Sequence, residues 1–353
     1  MKILLTGGCG FIGSAVVRHI LRATSHDIVN VDKMTYAASE AALEEASASN
    51  RHVLIRADIS DETAMTAVFA EHRPDAVMNL AAETHVDRAI DGPAPFIDTN
   101  IVGTYVLLEV TRKYWNRLGE SAKAQFRFHH ISTDEVFGQL APDASPFNEA
   151  TAYDPRSPYA ASKAASDHLV RAWHHTYGLP TLVSNTSNNY GPWQFPEKLV
   201  PLVMLNALEG KELPVYGDGL NRRDWIYVED HAEALVRIVE RGKPGNTYCI
   251  GARQPRRNID VVRIVCKVLD ELVPDPAGAH ERLICFVTDR PGHDFRYEID
   301  PSAAETALAW RASHTFERGI RKTIEWYLRH RSWWQEIRAQ RYPGERLGLA
   351  PAS

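Results

Sequence analysis

The feature that most limits how this 353-residue chain can fold is a glycine-rich segment close to its start. Gly7, Gly10 and Gly13 stand between an apolar run at 2–6 and a stretch at 11–23 whose apolar residues recur at helical spacing. In a strand–loop–helix unit the first glycine permits a tight turn, the second lets the backbone approach a pyrophosphate, and the third allows close helix packing. The segment therefore predicts the first unit of a dinucleotide-binding fold.

An acidic residue supports this interpretation and favours one cofactor. Asp32 ends the second predicted strand, 27–32, nineteen residues beyond Gly13. A carboxylate there accepts hydrogen bonds from a ribose hydroxyl and repels a 2′-phosphate, so the sequence favours NAD over NADP. Lys33 follows directly and weakens that preference, because a cation attracts a phosphate.

The first half of the chain alternates apolar strands with helices. Further strands are predicted at 52–57, 76–80, 126–132 and 181–185, and helices at 61–70, 96–118 and 157–177. Near-continuous apolar strands between helices are typical of a parallel sheet covered on both faces. We therefore expect an α/β protein with a doubly wound parallel Rossmann sheet in an NAD-binding domain at 1–186. Beyond residue 186 prolines and glycines are frequent, which predicts a smaller mixed α/β, mainly substrate-binding domain at 187–353, part of which returns to the first sheet.

Composition excludes several classes of protein. Forty basic against forty-five acidic side chains give a net charge of −5, so no nucleic-acid partner is expected. No apolar run approaches the ~20 residues of a membrane span. Four cysteines without a Cys-x-x-Cys pair predict reduced thiols in a cytoplasmic protein. The fifteen histidines include no His-x-x-x-His pair beside a glutamate, so no metal site is expected.

A tyrosine and a lysine on one predicted helix suggest proton transfer. Ser157 and Pro158 are typical of a helix start, which places Tyr159 and Lys163 four residues apart in its first two turns. Such residues share a helix face, so we expect the ammonium to lie near the phenol and to lower its pKa from about 10. A tyrosine of this kind takes a proton from a substrate hydroxyl while a hydride leaves for nicotinamide.

The glycine triplet and this Tyr-x-x-x-Lys pair resemble the extended short-chain dehydrogenase/reductase superfamily. From residue 1 to about 326 the chain is similar, more narrowly, to the dTDP-glucose 4,6-dehydratase family of that superfamily. The segment that selects the narrower family is 132–138, where Thr133 is followed by Asp134 and Glu135. Hydride transfer needs only the hydroxyl, whereas eliminating water from a sugar needs an acid and a base. The family usually has tyrosine where this chain has Phe137.

The resemblance implies a lyase that converts dTDP-glucose to dTDP-4-keto-6-deoxyglucose. The steps would be oxidation at C4, loss of water across C5–C6 and return of the hydride to C6, with NAD retained as a catalyst. It makes Tyr159 the base at O4, Glu135 the base at C5 and Asp134 the protonated acid at C6. Thr133 would bind the reacting hydroxyl, and Lys163 would support the tyrosine. Two adjacent acids in a closed site suit this division, because their pKa values can diverge.

The resemblance also assigns binding residues and a partner. The NAD site would be formed by Gly7, Gly10, Phe11, Ile12, Gly13, Asp32, Lys33, Met34, Thr35, Asp58, Ile59, Leu80, Ala81, Ala82, Thr99, Tyr159, Lys163 and Asn189. The dTDP-hexose substrate would be bound by Thr84, Thr133, Asn188, Lys198, Leu199, Pro214, Val215, Tyr216, Arg223, Asn258, Asp289, Arg290, Pro291, Gly292 and His293. A homodimer is implied in which helices 96–118 and 158–177 form a four-helix bundle, although an intramolecular core explains their apolar pattern equally well.

Other functions remain open at this point. A GDP-mannose dehydratase would typically prefer NADP, against Asp32, and a UDP-hexose epimerase would have no use for Asp134 beside Glu135. A catalytically silent NAD-binding sensor or scaffold would need neither acid. The choice between dTDP and UDP, which differ by one methyl group, and the pathway that uses the product (rhamnose or another deoxysugar) are not decided by these motifs.

Overall fold

The computed structural model describes residues 1–344, and twelve strands form three sheets in this part of the chain. The strands are β1 (Lys2–Thr6), β2 (Asp27–Asp32), β3 (His52–Arg56), β4 (Ala76–Asn79), β5 (Arg127–Thr133), β6 (Thr181–Thr186), β7 (Asn188–Tyr190), β8 (Leu213–Tyr216), β9 (Arg222–Tyr227), β10 (Thr247–Ile250), β11 (Pro255–Arg257) and β12 (Ile284–Val287).

The largest sheet is parallel throughout and has the order β10-β6-β5-β4-β1-β2-β3. From β1 the chain proceeds to β2 and β3 on one side, then crosses back to β4, β5 and β6 on the other. A doubly wound sheet binds its ligand where the strand order reverses, at the carboxyl ends of the strands. The predicted doubly wound α/β fold is confirmed, and its reversal point lies between β1 and β4.

Helices cover both faces of this sheet and pack around the second part of the chain. They are α1 (Phe11–Ala23), α2 (Glu44–Ser47), α3 (Glu62–His72), α4 (Val86–Asp91), α5 (Ala94–Phe96), α6 (Thr104–Trp115), α7 (Glu120–Gln125), α8 (Pro158–Tyr177), α9 (Leu199–Leu208), α10 (Val228–Arg241), α11 (Asn258–Leu272), α12 (Ser302–Leu308), α13 (Phe316–Arg329) and α14 (Arg331–Gln340). Short 3-10 turns lie at Glu40–Leu43, Asp134–Phe137 and His280–Leu283.

Helix caps explain where the best-defined helices begin. The Asp61 carboxylate accepts a hydrogen bond from the amide of Ala64 at 3.0 Å and starts α3. The Ser157 hydroxyl accepts from the amide of Ala160 at 3.1 Å and starts α8, with proline at the first helical position. A side-chain acceptor satisfies an amide that has no partner inside the helix. Both predicted starts are therefore confirmed.

The second part of the chain forms two small sheets beside its own apolar core. The sheets have the orders β11-β9-β7 and β12-β8, and the core is built from α9, α11 and α13 around buried Tyr190 and Trp225. After these sheets begin, β10 pairs with β6 and so extends the large sheet. The division of the chain into two domains at residue 186 stays a prediction, and the last nine residues of the predicted second domain lie outside the described residues.

Two features that residues 1–344 lack bear on broader function. No described helix has both the length and the apolar composition needed to cross a bilayer. No three histidine, cysteine, aspartate or glutamate side chains of the described residues gather as a metal site requires.

Candidate active site

A cavity of about 310 Å³ lies at the carboxyl ends of β1, β2, β4, β5 and β6. Because parallel strands end at the same edge of a sheet, residues far apart in sequence meet there. The predicted residues that line the cavity are Gly7, Gly10, Phe11, Ile12, Gly13, Asp32, Lys33, Thr35, Asp58, Ile59, Leu80, Ala81, Ala82, Thr84, Thr99, Thr133, Asp134, Glu135, Tyr159, Lys163, Asn188, Asn189 and Lys198.

The glycine loop forms a wall of the cavity that only glycine fits. Gly7 has a φ of +73°, and a Cβ atom on it would lie 2.8 Å from the backbone of Ala81. A Cβ atom on Gly13 would lie 2.1 Å from the carbonyl oxygen of Gly7. The amino end of α1 therefore faces the cavity without a side chain between, which is the arrangement that suits a pyrophosphate.

Asp32 is held at the end of β2 by two backbone amides. Its Oδ2 accepts from the amide of Cys9 and its Oδ1 from the amide of Met34, both at 2.8 Å. Of the predicted cofactor residues Met34 alone is absent from the cavity lining, and its contact with the cofactor stays a prediction. Lys33 Nζ lies 2.5 Å from Asp58 Oδ2, which neutralises the cation that weakened the preference for NAD.

Several polar atoms around the cavity are buried without a hydrogen-bond partner among the described residues. They are Asp134 Oδ2, Ser187 Oγ, Asn188 Oδ1 and Gln194 Oε1. Buried polar atoms are normally hydrogen-bonded, so such atoms around one cavity indicate a polar ligand. Together with the glycine loop and Asp32, they fit a dinucleotide.

Thr133 joins the two acids at the end of β5. Its Oγ1 accepts from the amide of Glu135 at 3.2 Å and donates to Asp134 Oδ1 at 3.3 Å. Burial raises the pKa of Asp134 well above its ordinary value, and the neighbouring Glu135 charge raises it further. Burial also raises the pKa of Glu135, but the cations Arg290, Arg223 and Lys198 oppose that rise. The pKa values of the two acids therefore differ, so that Asp134 favours its protonated form and Glu135 more readily carries the negative charge.

Tyr159 lines the same cavity, and its phenol lies near the Thr133 hydroxyl. Burial and then the Glu135 charge raise the pKa of Tyr159. Lys163 Nζ instead donates to the carbonyl oxygen of Ile131 at 2.8 Å, and burial lowers the pKa of Lys163 to about 8. The ammonium is thus directed to a carbonyl group of β5, and the expected lowering of the Tyr159 pKa by Lys163 stays a prediction.

The remaining predicted substrate residues do not line this cavity. They are Leu199, Pro214, Val215, Tyr216, Arg223, Asn258, Asp289, Arg290, Pro291, Gly292 and His293. They lie on β8, β9, the starts of α9 and α11, and the loop after β12. Arg223 and Arg290 act electrostatically on Glu135, so this group borders the acidic pair. Their contact with a substrate stays a prediction.

Sequence reasoning missed a buried carboxylate in the cavity wall. Glu197 accepts from the Tyr36 hydroxyl at 2.8 Å and from Arg88 Nε at 2.9 Å, and Arg88 lies 4.1 Å from the centre of the Tyr36 ring. Both Tyr36 and Glu197 line the cavity. The position of Glu197 directly before Lys198, in a segment already assigned to the substrate, was the available signal.

Comparison with known proteins identifies the family. A family model described as GDP-mannose 4,6 dehydratase matches residues 4–323. A curated dTDP-glucose 4,6-dehydratase from Escherichia coli is 58% identical over 360 residues, which cover 99% of this chain and 99% of that protein. The chain belongs to the dTDP-glucose 4,6-dehydratase family. It is accordingly an enzyme of the dehydratase class, and the silent-sensor alternative is set aside.

Solved structures of dTDP-glucose 4,6-dehydratases have the same fold as this family member. The enzyme from Bacillus anthracis, in complex with NAD, has a TM-score of 0.85 and 37% identity, and the match covers 96% of this chain and 99% of that one. The enzyme from Streptomyces venezuelae, also with NAD bound, has a TM-score of 0.87 and 37% identity, with 96% and 100% covered. The predicted family, fold and NAD cofactor are confirmed.

Proposed function

We propose that this chain converts dTDP-glucose to dTDP-4-keto-6-deoxyglucose and water, with NAD retained between turnovers. The observation that carries the proposal is the pair of buried neighbours Asp134 and Glu135, held in different protonation states beside Tyr159 and Thr133. The 58% identity to a dTDP-glucose 4,6-dehydratase over the whole chain supports the choice of substrate.

The first task of the chain is to bind and deprotonate the C4 hydroxyl. Thr133 and Tyr159 lie near each other and line one cavity, so they can hold the same hydroxyl oxygen. Tyr159 then takes its proton as general base. NAD, when bound, supplies the reversible oxidation of the sugar at C4. Lys163, fixed by the carbonyl oxygen of Ile131, adds positive charge beneath the site.

The second task is the loss of water across C5–C6. A carbonyl group at C4 makes the C5 proton acidic, and the Glu135 carboxylate removes it. The electron pair forms the C5–C6 double bond, the C6–O bond breaks, and Asp134 gives its proton to the departing hydroxyl group. When C6 is reduced again, Glu135 returns the proton to C5. Glu135 thus ends the cycle as it began, whereas Asp134 is left as a carboxylate and Tyr159 holds the proton taken from O4. Transfer of that proton from Tyr159 to Asp134, which both lie next to Thr133, returns the two groups to their starting states.

Nucleotide binding is proposed for the residues that border the acidic pair. Lys198 Nζ donates to the carbonyl oxygen of Thr84 at 3.1 Å, which places an ammonium group at the mouth of the cavity. With Arg223 and Arg290 it provides the positive charge that a diphosphate requires. The match to dTDP-glucose enzymes supports thymidine over uridine as the nucleoside.

A homodimer is part of the same proposal. Ile97, Val102, Tyr105 and Tyr177 are exposed apolar or aromatic side chains on the segment 97–115 and on α8, and Tyr105 and Tyr177 both contact the Trp173 ring. These two segments pack against each other, so the side chains form one surface. We propose that a second copy of the chain covers it. The cytoplasmic location stays a prediction.

The deciding experiment is incubation of the purified chain with dTDP-glucose and no added cofactor. We expect the 4-keto product, measured by its absorbance in alkali, without net formation of reduced nicotinamide. Failure to form product even with NAD supplied would overturn the substrate assignment. A screen of UDP- and GDP-hexoses would then identify the nucleotide.

A further inference from the structure

A buried carboxylate with no assigned role joins three segments at the border of the site. Asp87 lies on α4, which follows β4, and is 6% exposed. Its Oδ1 accepts from Arg290 Nη1 at 2.9 Å and its Oδ2 from the Tyr216 hydroxyl at 3.3 Å. Arg290 belongs to the loop after β12 and Tyr216 ends β8. One carboxylate on α4 therefore binds both the end of β8 and the loop after β12.

Arg290 links this carboxylate to the chemistry. Its positive charge is the largest of the influences that lower the pKa of Glu135. Its Nε is buried and has no hydrogen-bond partner among the described residues. A guanidinium group is a planar fork, so fixing Nη1 at Asp87 restricts where the rest of the group lies.

We propose that Asp87 is a positioning residue that holds Arg290, so that the guanidinium group stays beside the Glu135 carboxylate. The inference rests on the proposed function and deepens it. Arg88, the next residue, binds Glu197 of the cavity lining, so this short helix contacts both the cavity and the loop after β12.

Several other ionisable groups also interact with Glu135 and therefore contribute to the pH dependence of its protonation. The groups whose charges interact with it are Asp134, Tyr159, Lys198, Arg223, Arg290, Asp294 and Tyr297. Arg223 and Lys198 remain when Arg290 is displaced, so Glu135 keeps part of its stabilisation. Loss of Arg290 from this position is therefore expected to shift the acid limb of the pH profile of kcat to higher pH.

The test compares Asp87→Asn, Arg290→Gln and the double variant, with Asp143→Asn, at an exposed carboxylate, as control. Each single variant should lower kcat/KM for dTDP-glucose about tenfold, because it removes one partner of a charge-assisted hydrogen bond. The double variant should be no worse than Arg290→Gln, because Asp87 acts through Arg290. The acid limb of kcat should move to higher pH in all three, since Glu135 is protonated more readily. Asp143→Asn should match the wild type.

Other outcomes overturn the inference. Multiplied losses in the double variant, or an acid limb that stays in place, would show that Asp87 does not act through Arg290. If the Asp87→Asn variant does not fold, the Arg290→Lys variant tests the inference in its place. Lysine keeps the charge but lacks the fork, so wild-type behaviour of that variant would contradict a role for fixed orientation.

Binding of dTDP, measured by calorimetry, separates this inference from the proposed function. A wild-type chain that binds dTDP without turnover would overturn the function alone, and the same variant cycle on the Kd for dTDP would still decide the role of Asp87. A wild-type chain that neither binds dTDP nor converts dTDP-glucose would overturn both.

Discussion

The neighbouring carboxyl groups of Asp134 and Glu135 differ in pKa because their surroundings differ. Asp134 is 1% exposed, and the charge of Glu135 adds to the effect of its burial. Burial also raises the pKa of Glu135, but three cations oppose that rise, and Arg290 has the largest effect of the three. The fold thus turns two acids of nearly equal ordinary pKa into a donor and an acceptor.

Replacing the proposed C5 base should separate oxidation from dehydration. We expect Glu135→Gln to lower kcat about 10³-fold, because no carboxylate remains to remove the C5 proton. Oxidation at C4 should persist, so reduced nicotinamide should accumulate on the enzyme and be seen by its absorbance. Asp143→Asn, an exposed carboxylate, is the control. A Glu135→Gln enzyme with full turnover would contradict the assignment.

The raised pKa of Asp134 also predicts how stability depends on pH. A group whose folded pKa is raised contributes stability below its unfolded pKa and loses that contribution as pH rises through the folded pKa. We therefore expect the free energy of unfolding of the wild type to fall from about pH 5 to about pH 8 by more than that of Asp134→Asn. Denaturant titration at both pH values measures this. Equal pH dependence in the two proteins would show that Asp134 is not held protonated.

The sequence predicted the residues of the site better than their interactions. The spacing of Tyr159 and Lys163 correctly placed both at the cavity. It did not show that the ammonium group donates to the carbonyl oxygen of Ile131, which comes from another strand 32 residues away. A four-residue spacing determines a shared helix face, whereas the acceptor of a long side chain depends on tertiary packing.

Elements with a local signal were predicted accurately. The strand at 2–6 and the helix at 11–23 have the predicted bounds, and side-chain caps begin α3 and α8. The helix predicted at 96–118 is instead interrupted by a π-helical stretch, Ile97–Gly103, and ends at Trp115. The segment 316–340, whose sequence predicts a helical tail with three tryptophans, is instead two helices that meet at His330. No proline lies in the π-helical stretch or at His330, and proline is the clearest sequence signal of a broken helix.

The close contact between α1 and the glycine loop can be tested with one methyl group. Gly13→Ala would place a Cβ atom 2.1 Å from the carbonyl oxygen of Gly7, so the helix must move away from the loop. We expect the Kd for NAD to rise at least about tenfold and the protein to lose NAD on purification. Gly92→Ala, where a Cβ atom meets nothing within 4 Å, is the matched control. Unchanged NAD content in Gly13→Ala would show that the cofactor does not depend on this contact.

At the scale of the molecule, the end of the described chain returns to the start of the cofactor site. Trp333 on α14 donates its indole N–H to the Ser39 hydroxyl at 3.0 Å, and Arg341 donates to the carbonyl oxygen of Ala38 at 3.2 Å. Ala38 lines the cavity. Contacts between residues about 300 positions apart have no local sequence signal, so the place of the tryptophan-rich tail required the structure.

The proposed homodimer is a property of the whole molecule, and substitutions that introduce a single charge can test it. Ile97 and Tyr105 are 44% and 47% exposed on the surface proposed to bind a second copy. A glutamate in a buried apolar interface has no partner and is costly to desolvate, so Ile97→Glu and Tyr105→Glu should each give a particle of half the wild-type mass in sedimentation. Phe286→Glu, at a 56% exposed aromatic residue on β12, should leave the mass unchanged. A wild-type chain that sediments as a monomer would contradict the dimer, and retained mass in both variants would place the interface elsewhere.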